Sequence, residues 1–131
     1  MNLLLDTHAL LWFAGNSPRL GRQARGLIRS TENTVWVSAA SLWEISIKTS
    51  LGRARSSESF VELAAGTLEQ HHFRPLPINF QHALAVRHLP MHHRDPFNRM
   101  LVAQAQCEDL ILVTADPLIT AYDIRTLDAS K

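Results

Sequence analysis

Short apolar runs alternate along this chain with longer stretches whose apolar residues recur at helical spacing. Residues 2–5 read as a buried strand, and Thr7–Ala14 as a short apolar helix broken by Gly15-Asn16-Ser17. Ser17-Pro18 has the form of an N-cap followed by proline at the first helical position, which predicts a helix over 18–30. Residues 34–37 read as a second strand, after which Ser38 caps a helix running to Leu51 and ended by Gly52. Ser56 or Ser57 opens a further helix to about 71, and the two prolines in 73–78 allow at best a short edge strand. Asn79 caps a helix to about 88, and a polar, histidine-rich loop fills 89–94. Asp95-Pro96 starts a helix to Glu108, followed by a strand over 110–113, a helical turn over 117–121 and a last strand over 124–127. Strands alternating with helices predict an α/β fold, with a central, mostly parallel sheet flanked by helices on both faces.

The chain has 131 residues, which suits one domain with one sizeable core, spanning 1–131. Hydrophobic residues make up 46% and charged residues 19%, a globular balance without a disordered signature. Cys107 is the only cysteine, which excludes an intramolecular disulfide framework or a cysteine-based zinc cluster and makes a reducing cytoplasm the simplest compartment. The apolar N-terminus is interrupted by Asp6 and His8 and lacks a basic region, so neither a signal peptide nor a membrane span is expected. A net charge of +1 means that any polyanion site must come from local clustering.

The most informative polar positions are acid-type side chains at the heads or on the inner faces of different elements. Leu3-Leu4-Leu5 stops on Asp6, and the run 110–113 leads through Thr114-Ala115 to Asp116. If both strands are parallel in one sheet, both carboxylates emerge at its C-terminal edge, where open α/β sheets bind ligands. Two carboxylates brought to ~4 Å repel by about 4 kcal/mol at an effective dielectric of ~20, so something positive must hold them. A hard divalent cation is the usual answer. Glu44 shares a helix stripe with Ala40, Ile47 and Leu51 and should face inward, either for metal or catalytic work or in a buried ion pair with an arginine. Asn98 shares a face with Leu101, Val102 and Ala105, and its alternative role is to satisfy free backbone N–H groups in the first helical turn. Asp95 before Pro96 has the form of an ordinary N-cap, and Asp6 and Asp116 could each cap a turn.

Other positions carry weaker signals. His88, His92 and His93 could contribute to a zinc site, but Pro90 interrupts them and a third ligand is lacking, so solvated loop histidines are expected. Arg22, Arg25 and Arg29 line one helix face that could track phosphates or simply be solvated. Trp12, Trp36 and Trp43 are core candidates, and any left exposed would point to a partner groove.

Four ordered segments carry a resemblance: 5–12 (LDTHALLW), 38–45 (SAASLWEI), 93–105 (HRDPFNRMLVAQA) and 113–116 (VTAD). Together, in this order and spacing, they resemble PIN-domain proteins, and most closely VapC-type toxins of bacterial toxin–antitoxin operons. The resemblance implies a single PIN-like domain with Mg²⁺- or Mn²⁺-dependent endoribonuclease activity, in which carboxylates hold one or two metals. Asp6 matches the first family acid, Glu44 the second, position 98 the third and Asp116 the last. Relatives usually read Asp-Pro-Phe-Asp-Arg where this chain reads Asp95-Pro96-Phe97-Asn98-Arg99. Asn98 keeps the shape but removes one negative charge and leaves a neutral carbonyl ligand. A weakened or inactive site in an intact fold is therefore expected, with Asp95 as a partial substitute at most.

The implied reaction is hydrolysis of an RNA phosphodiester by metal-activated water, leaving 5′-phosphate and 3′-hydroxyl ends. Thr7, Ser38 and Thr114 are placed to hydrogen-bond the ligands from behind, or to cap helices and end strands. Arg22, Arg25, Lys48, Arg53 and Arg94 are candidates for phosphate contacts. The family also implies a homodimer and a small antitoxin (VapB-like) that lays a helix in an apolar groove, with Trp12, Trp43 and Leu51 as candidate groove or dimer contacts. Competing readings are a metal-dependent phosphatase, a non-catalytic module that binds RNA or antitoxin, and a DNA nuclease of the same broad fold.

Overall fold

The computed structural model describes residues 1–50 and 57–131. Leu51, Gly52, Arg53 and Ser56, singled out above, lie outside the described residues. Five parallel strands, β1 (Asn2–Leu5), β2 (Thr34–Ser38), β3 (Arg74–Leu76), β4 (Ile111–Thr114) and β5 (Thr126–Asp128), form one sheet in the order β3-β2-β1-β4-β5. Its helices are α1 (Thr7–Ala14), α2 (Arg22–Arg29), α3 (Ala39–Ser50), α4 (Ser57–Gln70), α5 (Phe80–Ala85) and α6 (Pro96–Glu108).

Side chains alternate across a strand. Leu3, Leu5, Val35, Val37 and Val113 therefore enter one core cluster with Ala9, Leu10, Ala24, Ile28 and Ala64. Leu4 and Leu112 point the other way and pack with Leu101, Val102, Ala105 and Ile119. Burying each of these Leu, Ile or Val side chains contributes about 1.5–3 kcal/mol, which fixes the register. A one-residue slip would exchange the two faces.

Several predicted boundaries move. The helix expected over 18–30 begins only at Arg22. Ser17 Oγ does accept an N–H, that of Arg19, but Leu20 is buried and the Gly21 N–H donates to the Ala129 carbonyl. The chain is thus drawn against the segment after β5 before helix geometry starts. The helix after Asn79 keeps its predicted cap but ends at Ala85 and tightens into a 3-10 turn over Val86–His88. The last two strands sit slightly later than predicted.

Candidate active site at the C-terminal edge of the sheet

Leu5 pairs with Val37 on one side and with Val113 on the other. One residue further on, the register brings Asp6 between Ser38 and Thr114, on the face toward α6. Asp6 is 3% exposed and is the N-cap of α1, accepting the Ala9 N–H at 2.7 Å through Oδ1. Its Oδ2 accepts the Thr114 hydroxyl at 2.6 Å. Thr114 Oγ1 in turn accepts the Asp116 N–H at 3.0 Å, so one hydroxyl ties the two strand-end acids together. Burial pushes the Asp6 carboxyl above its ordinary pKa and the nearby Asp116 charge adds to this, outweighing the hydrogen bonds from Thr114 and Ala9 and the influence of His8.

Glu44 does face inward, at 6% exposure. Its Oε1 accepts the Thr7 hydroxyl at 2.8 Å, and its Oε2 pairs with Lys48 Nζ at 2.7 Å, so the ion pair is with a half-exposed lysine rather than a buried arginine. Thr7 has one hydroxyl proton to give. With that proton on the carboxylate, Ser41, 3.1 Å away, donates to Thr7. Lys48, expected as a phosphate contact, is committed to Glu44. Ser38 is fully buried and accepts the Ala40 N–H, which is the helix-capping alternative. Asp95 accepts the N–H groups of Phe97 and Asn98 through Oδ1, as an N-cap does.

The loop before α6 differs most from expectation. His93 is not a solvated histidine: its side chain is 12% exposed, and Nε2 lies 2.7 Å from Asp116 Oδ2 and 3.2 Å from the Asn98 amide nitrogen. Arg99 is buried, and among the described residues no carboxylate pairs with it. Its guanidinium donates to the carbonyls of Val86, Leu89, Pro90 and His93 and to the Tyr122 hydroxyl, which fixes the loop's path. The Tyr122 hydroxyl also accepts the His93 N–H. The sequence pattern offers no role for Arg99 or Tyr122, and offers His93 only as a weak zinc candidate or a solvated loop histidine. The available signal was local: a histidine two residues before an N-cap can accept the cap residue's own N–H, and His93 Nδ1 does so from Asp95 at 3.1 Å.

Of the cationic candidates, Arg22 and Arg94 are exposed, whereas Arg25 donates to the Ser17 carbonyl. Trp43 is 58% exposed, whereas Trp12 and Trp36 are half-buried. Trp43 meets Phe97 edge-on at 5.2 Å, and with Ala40, Met91, Arg94 and Met100 they line an open, largely apolar groove of about 520 Å³ between α3 and the start of α6.

The donors fit a divalent cation in kind. They are hard oxygens, Asp6 and Asp116 repel each other, and among the described residues no lysine or arginine pairs with either. They fall short in number. No group of three His, Cys, Asp or Glu side chains suited to a metal occurs among the described residues; Glu44 pairs with Lys48, and position 98 carries an amide. The same finding leaves the loop histidines without a zinc cluster among the described residues.

The PIN domain family profile matches residues 3–124. This chain belongs to the PIN family. No curated protein matches it. Among solved structures, this PIN domain is similar to VapBC2 from Rickettsia felis bound to a DNA fragment from their promoter, with TM-score 0.74, 13% identity, and 97% and 98% of the two chains covered. It is also similar to VapBC-1 from nontypeable Haemophilus influenzae, with TM-score 0.69, 18% identity and full coverage of both chains. FitAB bound to an IR36 DNA fragment gives TM-score 0.71 at 16% identity, with 98% of this chain and 96% of that one covered. At these identities the likeness concerns the fold.

Proposed function

We propose that this PIN domain is a Mg²⁺- or Mn²⁺-dependent endoribonuclease, the VapC-type toxin of a cytoplasmic toxin–antitoxin pair, weakened by Asn98. The observation that carries the proposal is the convergence of Asp6 and Asp116 on Thr114 at the C-terminal edge of the sheet. Asp6, Asp116 and the oxygen of residue 98 would hold the cation. When bound, the cation supplies an activated water for phosphodiester hydrolysis and neutralises charge on the leaving oxygen. The chain's own residues prepare that site. Thr114 orients the Asp6 carboxylate and holds the Asp116 backbone, α1 and its Asp6 cap anchor the first of them, and Thr7 and Lys48 hold Glu44. Among the described candidates, the exposed Arg94 at the groove rim and the exposed Arg22 are suited to position phosphates. The open groove around Trp43 and Phe97 suits an apolar segment of an antitoxin, as the VapBC likenesses suggest, and a homodimer follows from the same family reading.

A second reading, a PIN module that binds RNA or antitoxin without cutting, is favoured by two observations. Asn98 removes an acid, and Lys48 occupies Glu44. The test is cleavage of cellular RNA by this chain and its Asn98→Asp variant, free of antitoxin, with Mg²⁺, with Mn²⁺ and with chelator. Metal-dependent cutting that appears or rises sharply in the variant supports the nuclease. RNA binding without cutting by either protein, in saturating Mn²⁺, supports the binding module.

A further inference from the structure

His93 bears on why residue 98 matters. Its Nδ1 accepts the Asp95 backbone N–H at 3.1 Å. A peptide N–H is always a donor, so Nδ1 carries a lone pair and the ring proton sits on Nε2. Nε2–H then donates to Asp116 Oδ2 at 2.7 Å. The ring is held in place through its backbone, by the His93 N–H on the Tyr122 hydroxyl and by Arg99 on its carbonyl. A ring with its proton on Nε2 has no lone pair there for a metal, so His93 acts on Asp116 rather than as a ligand.

The Asn98 amide nitrogen lies 3.2 Å from the same Nε2. Two donors facing each other do not bond. Turning the amide over, which exchanges its nitrogen and oxygen, gives Nε2–H a second acceptor. An amide has one neutral oxygen, whose two lone pairs His93 and a cation would share, whereas an aspartate has two charged oxygens, one for each.

We infer that His93 is a positioning residue of the acidic site: its Nε2–H orients Asp116 and favours an oxygen over the amide nitrogen at position 98, so that an acid there serves His93 and a cation better than an amide does. The cation half rests on the proposed function; the hydrogen bond does not. Two measurements separate them. Long-range ¹H–¹⁵N correlation on the full, metal-free chain should show His93 as the neutral, Nε2-protonated form. An Nδ1-protonated or doubly protonated ring overturns the inference. Mn²⁺ affinity is then measured for this chain and for Asn98→Asp, each with His93→Gln and His93→Ala. In the Asn98→Asp background His93→Ala should lower affinity by about tenfold, and His93→Gln, which keeps a donor, should retain most of it. In the Asn98 background the fall should be smaller, because the loss of Asp116 positioning is partly offset by leaving the amide oxygen wholly to the cation. Equal losses in both backgrounds, no loss in either, or a direct nitrogen coupling from His93 on bound Mn²⁺ overturns the inference. If no protein binds Mn²⁺, the cation reading fails and takes the affinity half with it, while the ring's protonation still decides the hydrogen bond.

Discussion

Asp6 keeps its place at an electrostatic cost. Burial raises its proton affinity in the folded protein above that in the unfolded chain. A raised folded-state pKa contributes stability that is fully present below the ordinary aspartate value of about 4 and is lost as pH rises through the raised value. In metal-free protein, denaturant melts across pH 4–8 should therefore show the stability advantage of the chain over Asp6→Asn shrinking as pH rises. An advantage that grows with pH would contradict the burial argument. Glu44 gives a complementary case. Lys48→Met leaves the buried Glu44 carboxylate without its cation and should cost about 1–2 kcal/mol, with Glu44→Gln restoring most of the loss in the double variant. Additive losses in that cycle would show that the pair at 2.7 Å does not couple.

At the scale of elements, the loop from Val86 to Arg94 and the helix after it stand or fall with Arg99. Its guanidinium satisfies four carbonyls and a hydroxyl. Arg99→Met should destabilise the fold by about 3 kcal/mol or more, since those acceptors lose their donors inside the protein. Arg99→Lys should recover only part of this, because an ammonium cannot reproduce the planar fork. Thermal and denaturant melts check both, and a loss under 1 kcal/mol for Arg99→Met would mean that the loop finds other donors. The strand–helix alternation, the Asn79 and Asp95 caps and the inward face of Glu44 were legible in the sequence because each rests on a local pattern. The late start of α2 was not: the Ser17-Pro18 signal is genuine locally, but the Gly21 and Gln23 N–H groups bond to Ala129 and Lys131 from the far end of the chain. A methyl group at Gly21 would meet the Lys131 backbone at about 2.1 Å, an approach that only glycine permits. The role of His93 was hidden for the same reason, since its partner Asp116 is distant in sequence.

Across the whole molecule, the register of β1 against β4 joins residues from both ends of the chain into one acidic edge. The family and the positions of the acids could be read from sequence segments, but their pairing through Thr114 and the diversion of Glu44 to Lys48 required the packed structure. Under the proposed function, an acid restored at position 98 completes the donor set. The most direct test is to incubate the Asn98→Asp variant with RNA and Mn²⁺ and to determine the chemistry of the product ends. The expected products carry 5′-phosphate and 3′-hydroxyl ends, and cutting is lost with chelator and with an added Asp6→Asn substitution. Ends bearing 2′,3′-cyclic phosphate, or cutting that survives chelation, would contradict the proposed function.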